Sequence, residues 1–122
     1  MSDNARIVRD FIETWPSLDV ERIVAFFTDD GVYHNMPIAP IAGRDALRAF
    51  IGAFLKDWTK TNWDVLNIVA AGDVVIAERV DHIHVGDKSV DLPCCGVFEL
   101  ENGKIKAWRD YFDLATYSKG LS

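Results

Sequence analysis

Arg79 and Asp81 stand two residues apart in the stretch Val74 to Val85, where the other alternate positions, Val75, Ala77, Ile83 and Val85, are apolar. On a strand, residues two apart share a face, so this spacing predicts an ion pair set among aliphatic side chains. An isolated ion is prohibitively costly to bury. Arg79 is therefore expected to pair with Asp81, and its planar guanidinium keeps donors for a second carboxylate. Asp110 is the candidate, because it alternates with Trp108 and Phe112 on the last predicted strand and so lies between two aromatic rings. Desolvation there raises its pKa and Arg79 lowers it, a balance the sequence leaves open. Two carboxyl groups sharing one guanidinium can perform general acid and base catalysis. The same residues also fit a rim-exposed salt bridge and a hydrogen-bonded structural carboxylate.

Tyr33 and Asn35 share a face of an earlier extended piece and offer a phenol and an amide that do not titrate near neutral pH. Together they could hold a water molecule; singly, each also reads as a structural residue beside a proline loop. His82 and His84 lack a third partner at any metal-binding spacing, and His34 alternates away from Tyr33 and Asn35, so no metal is expected. Cys94 and Cys95 are adjacent, which excludes a bridge between distant segments, and no partner at a motif spacing activates either thiol. The sequence also contains no glycine-rich phosphate loop and no nucleophile elbow.

The elements that must position these groups fall into two blocks. Ile7, Val8, Phe11, Ile12 and Trp15 form one helical stripe, with Ser2 or Asp3 as cap and Pro16 as terminator. A second short helix is predicted from about Asp19, through Val20, Ile23, Phe26 and Phe27, to the polar run Thr28-Asp29-Asp30-Gly31. An extended piece, Val32 to Met36, leads into the loop Pro37-Ile38-Ala39-Pro40. A third helix runs from Arg44 to about Trp58, with Leu47, Phe50, Ile51, Phe54, Leu55 and Trp58 facing inward. From Thr61 onward, four antiparallel strands are separated by turns at 71–73, 85–87 and 101–103. This is an α+β pattern, one domain over residues 1–122, in which three helices close a curved sheet into a cone around a small-molecule pocket.

Composition narrows the possibilities. With 122 residues, 49% of them hydrophobic, the chain can bury one core and no second. A net charge of −6 without a basic cluster disfavours nucleic acid and anionic membranes as partners. No apolar run approaches the roughly 20 residues of a membrane span, and the reading is a cytoplasmic protein. Val74, Ile76 and Val80 on the opposite face of their strand make a homodimer plausible.

Taken together, Tyr33-His34-Asn35-Met36-Pro37, Gly43-Arg44-Asp45-Ala46, Glu78-Arg79-Val80-Asp81, Gly96-Val97-Phe98 and Trp108 through Asp113 resemble the limonene-1,2-epoxide hydrolase family, from about Phe26 to Leu114. The resemblance implies a fold like those of nuclear transport factor 2, ketosteroid isomerase and SnoaL, usually dimeric. It also implies hydrolysis of epoxides to vicinal diols without cofactor, metal or covalent intermediate. The family's Arg and two Asp positions fall on Arg79, Asp81 and Asp110, and its water-holding Tyr and Asn on Tyr33 and Asn35. The implied roles are Asp110 as base, Asp81 as acid and Arg79 as the bridge between them. The expected pocket wall comprises Phe54, Trp58, Leu92, Cys94 and Phe112. Trp58, Pro93, Cys94 and Cys95 depart from what the limonene enzyme is expected to carry, so the resemblance does not extend to limonene as substrate.

Two other readings remain open. An isomerase or cyclase on the same fold would use a carboxylate to remove a carbon-bound proton and an oxyanion hole to hold the enolate, as ketosteroid isomerase does in a well-known case. A non-catalytic binding or dimerisation module would have no need of two inward aspartates.

Overall fold

The computed structural model describes residues 3–122, so Ser2, one of the two expected caps of the first helix, lies outside the described residues. Helix α1 spans Asp3–Thr14 and runs into a 3-10 turn at Trp15–Ser17, where Pro16 is tolerated because it sits at the start of the turn. Helix α2 covers Val20–Val24, capped by Asp19, whose carboxylate accepts from the amides of Glu21 and Arg22. Helix α3, Arg44–Asp57, buries Leu47 and Ile51 and ends at Trp58 as the hydrophobic pattern predicts.

The strands are β1 Phe27–Asn35, β2 Ile41–Ala42, β3 Lys60–Ala71, β4 Val74–Val85, β5 Lys88–Glu101 and β6 Lys104–Tyr111. They form one open, mixed sheet in the order β2-β1-β6-β5-β4-β3. The last four make the predicted meander through two-residue turns. At the β5–β6 turn both Asn102 and Gly103 have positive φ, which is why this pair of residue types occupies it. β1 joins the meander by pairing in parallel with β6, which puts Asn35 beside Asp110 and Tyr33 beside Trp108.

Two expectations about element boundaries fail. The second helix stops at Val24 rather than continuing through Phe27, because the Phe26 carbonyl accepts the Ile105 amide at 2.8 Å and Phe27 starts β1. Residues 28–31, expected as a break, lie inside β1 at a register irregularity between Phe27 and Val32. Arg44 secures this irregular stretch to α3 by donating from Nε to the Phe27 carbonyl at 3.1 Å. Helix α4, Leu114–Gly120, was not anticipated. Asp113 caps it by accepting from the Thr116 amide, and Leu114, Tyr117 and Leu121 recur at helical spacing behind that cap.

The core lies between the concave face of the sheet and the helices. Its centre is aromatic: Trp15 stacks on Trp63 with ring centroids 4.4 Å apart, and Tyr33 stacks on Trp108 at 4.2 Å. Phe11 packs edge-on against five rings, among them Phe27, Phe98 and Trp108. This aromatic floor underlies the polar residues of the site, with the Trp63 and Trp108 rings against the Arg79 guanidinium.

Candidate active site

Strand register places the charged groups. Arg79 and Asp81 point inward from β4, and Asp110 points inward from β6, with β5 between them. Alternate strands of a sheet stand about 10 Å apart, so the guanidinium must cross β5 to reach Asp110. It crosses at Gly96, which pairs with Ala77 on one side and Asp110 on the other. A Cβ at Gly96 would stand 2.8 Å from Arg79 Nη1 and 3.0 Å from Trp108 Nε1. Glycine is required there for close approach.

The resulting triad is buried and saturated. Arg79 Nε donates to Asp81 Oδ1 at 2.9 Å and Nη2 to Asp81 Oδ2 at 2.9 Å. On the other side Nη1 donates to Asp110 Oδ1 at 2.8 Å and Nη2 to Asp110 Oδ2 at 2.7 Å. Arg79, Asp81 and Asp110 are 1%, 3% and 4% exposed, far too little for a rim salt bridge. The guanidinium carbon lies 4.6 Å from the Trp63 ring centroid, so an aromatic face also supports the cation.

Burial raises the pKa of Asp81 above its ordinary value even though Arg79 pulls the other way, and the charge of Asp110 adds to the rise. Burial also works against the charge on Arg79, but Asp110 and Asp81 together outweigh it and hold the guanidinium protonated at every accessible pH. Tyr33 is raised by burial and then by Asp110, so its phenol stays protonated. The site thus offers one carboxyl inclined to hold a proton, a permanent cation and a neutral phenol.

Asp81, Asp110, Tyr33 and Asn35 all line one cleft, of about 510 Å³ including the part open to solvent. The remainder of its wall is almost wholly apolar. Of the five residues expected there, Phe54, Trp58, Leu92 and Phe112 line it. Cys94 does not: it sits beneath Asp81, with Sγ 3.5 Å from Asp81 Oδ2 and 3.3 Å from the Leu92 carbonyl oxygen. Ile83, on the face of Arg79 and Asp81, also lines it, and Trp15, Ile38, Trp63, Leu114 and Tyr117, which were not anticipated, complete the wall. Trp63 was recoverable, because it pairs with Asp81 across β3 and β4. Leu114 and Tyr117 depend on α4.

His34 faces away and meets the Ile38 carbonyl, and His82 lies on the outer face between Asp64 and Asp91, at 2.8 and 2.7 Å. Neither belongs to the cleft. Ligand atoms of Asp81, Cys94 and Asp110 lie within 4.8 Å of one another, a spacing that would suit a cation. Arg79 already fills that role, since all four carboxylate oxygens accept from its guanidinium. The donor set therefore does not fit a metal.

The sequence and the fold are shared with known proteins. Residues 2–122 match the family described as limonene-1,2-epoxide hydrolase catalytic domain. The epoxide hydrolase EphG of Mycobacterium tuberculosis is 32% identical over 114 residues, which are 93% of this chain and 76% of that protein. A solved epoxide hydrolase of the same type from M. tuberculosis superposes with a TM-score of 0.84 at 31% identity, covering 98% of this chain and 89% of the other. At the level of fold alone, a SnoaL-like polyketide cyclase from Shewanella putrefaciens gives a TM-score of 0.85 at 14% identity, over 98% of this chain and 96% of its own. This chain belongs to the limonene-1,2-epoxide hydrolase family.

Proposed function

We propose that the protein adds water to a cyclic or terpene-like epoxide in a single step, giving a vicinal diol. The observation that carries this reading is one buried guanidinium gripping two carboxylates that both face an apolar cleft. An epoxide is neutral and strained, and its opening requires a proton on oxygen and a nucleophile on carbon almost together. Asp81, inclined by burial to hold a proton, delivers it to the epoxide oxygen. Asp110, with Tyr33 and Asn35, holds a water and takes one proton from it as the water oxygen bonds to carbon and the carbon–oxygen bond breaks. The diol keeps both oxygens. Asp81 ends ionised and Asp110 protonated, and one proton passing back restores the starting state. Phe54, Trp58, Leu92 and Phe112 recognise the substrate by shape, which suits a molecule with little beyond hydrocarbon and one oxygen.

Hydrolysis in ¹⁸O-labelled water tests the reaction class: one labelled oxygen in the diol is expected, and an unlabelled isomer in its place would identify the isomerase alternative. A positioned acid or base contributes roughly 10²–10⁴-fold, so Asp81→Asn and Asp110→Asn should each lose most turnover while keeping the fold. Near-normal diol formation by either variant would overturn the assignment. The same reading makes the protein a cytoplasmic homodimer. Val74 and Ile76, 39% and 38% exposed on the outer sheet face, support the dimer, and light scattering measures it.

A further inference from the structure

Asp81 must surrender a proton and, in the same event, become an anion in a site that disfavours anions. Arg79 stabilises that anion, and a further donor whose bond strengthens as charge appears would favour the transfer as well. Cys94 has the geometry for it. Its sulfur, on β5, lies 3.3 Å from the Leu92 carbonyl oxygen and 3.5 Å from Asp81 Oδ2, both within reach of one thiol hydrogen. The residue is buried and does not line the cleft, so neither water nor substrate competes for that hydrogen.

We propose that Cys94 is a positioning residue for Asp81: its S–H rests on the Leu92 carbonyl while Asp81 is protonated and turns to Oδ2 as the carboxyl loses its proton. The inference rests on the reading of Asp81 as the acid. No bond to sulfur forms or breaks. Burial, reinforced by the charge on Asp81, holds the thiol far above its ordinary pKa, so it donates without ionising. The turn is a rotation about the Cβ–Sγ bond and displaces no heavy atom. Oδ2 then has two donors, Arg79 Nη2 and the thiol, while Oδ1 has only Arg79 Nε. Proton delivery accordingly falls to Oδ1.

The charged and titratable groups around Asp81 are Arg79 on its own strand, Cys94 on β5, Asp110 on β6 and Tyr33 on β1. From β3 it faces the neutral Trp63, and from α4 Tyr117 faces the same cleft. Of these, Cys94 is a neutral donor with both Asp81 Oδ2 and a second acceptor, the Leu92 carbonyl, in reach of its hydrogen.

Two measurements decide the matter. The first is the pH dependence of kcat/KM with 1,2-epoxycyclohexane for the wild type, Cys94→Ala and Cys94→Ser. Loss of a donor to the anion makes Asp81 hold its proton more tightly. The alkaline limb should therefore move up by about half a pH unit in Cys94→Ala, and the plateau should fall about two- to threefold because the acid is weaker. Cys94→Ser, which keeps a donor, should move both back toward the wild type. Profiles that coincide across the three proteins, with only the melting temperature altered, would show a packing role and overturn the inference.

The second is the infrared S–H stretch of Cys94 in a Cys95→Ser background, which leaves one oscillator. It should move to lower frequency as Asp81 ionises and remain fixed across the same range when Asp81→Asn is added. A band that does not follow pH overturns the inference, and it does so whether or not Cys94→Ala folds. If the wild type turns over no epoxide, the hydrolase reading fails, while the infrared band still decides the role of Cys94.

Discussion

Replacing Gly96 by alanine adds one methyl group at the point where Arg79 crosses β5. The new Cβ would lie 2.8 Å from Arg79 Nη1, 2.9 Å from Phe98 Cε1 and 3.0 Å from Trp108 Nε1. Comfortable separations begin near ~3.5 Å, so Nη1 must retreat by roughly 0.7 Å or the strand must bend. Nη1 has no slack, because its bond to Asp110 Oδ1 is 2.8 Å and the other guanidinium nitrogens are fixed by Asp81 and Asp110. A retreat of that size takes the bond outside the productive range. Losing one charge-assisted hydrogen bond costs about 1.5–3 kcal/mol, and overpacking about 1–3 kcal/mol. For a chain of this size, where 1 kcal/mol is worth roughly 4 °C, the two costs together should lower the melting temperature by roughly 10–25 °C. If the lost bond is one that orients Asp110 in the reaction, kcat/KM should fall about 10- to 100-fold.

The control is Gly52→Ala on α3, where nothing lies within 4 Å of the new Cβ. That change should stabilise the helix by about 0.5–1 kcal/mol and leave turnover unchanged. Thermal melts and epoxide turnover on the two variants complete the test. A Gly96→Ala protein with wild-type melting and turnover would refute the claim that the guanidinium needs this gap.

Further outcomes follow from the same geometry. Asp110→Ala strands part of a buried cation and should cost about 3–5 kcal/mol in urea unfolding, whereas Asp110→Asn, which keeps acceptor capacity, should cost less. Because the folded-state pKa of Asp81 is raised, its acid form persists below that pKa and is lost above it; kcat/KM should decline on the alkaline side, and a profile flat from acid to alkaline pH would contradict the assignment. His82 is raised by its hydrogen bonds to Asp91 and Asp64, so its contribution to stability is complete below about pH 6.5, the ordinary value, and is lost as pH rises through its folded pKa. His82→Gln should remove that slope from melting curves without affecting turnover. Trp58→Ala opens the cleft beside Phe54 and Tyr117, and should raise kcat/KM for bulkier epoxides relative to 1,2-epoxycyclohexane, as competition assays would show.

Alternation was enough to place Arg79, Asp81 and Asp110 on inward faces, because the positions that share those faces, Val75, Ala77 and Ile83 on one strand and Trp108 on the other, are apolar. It could not show that Asn35 lies beside Asp110, since the parallel pairing of β1 with β6 joins segments more than 70 residues apart. Cys94 was placed on the correct face but at the wrong depth. Period two fixes the direction of a side chain, not whether a carboxylate stands between it and the cavity. Phe26 and Phe27 fit helical spacing with α2, yet the backbone of β6 captured them for the sheet. The cap at Asp113 was a local signal for α4, but a segment of only 7 residues carries little periodicity. The cleft residues on that helix went unread with it.

Charge counting connects the fold to the reaction. With both carboxylates ionised, the buried group of Arg79, Asp81 and Asp110 carries one net negative charge; with one proton bound it is neutral. Burial favours the neutral count, in keeping with the raised pKa of Asp81. Push–pull opening of an epoxide needs that same occupancy, one acid and one base. In the proposed mechanism, asymmetry around the guanidinium would decide which carboxyl has which part. Asp110 has Asn35 and Gly96 as register partners and shares the cleft with Tyr33, whereas Asp81 is flanked by Trp63, Leu92 and the thiol of Cys94. A second proton would leave no base and a missing one no acid, so the activity should survive only while the pair holds one.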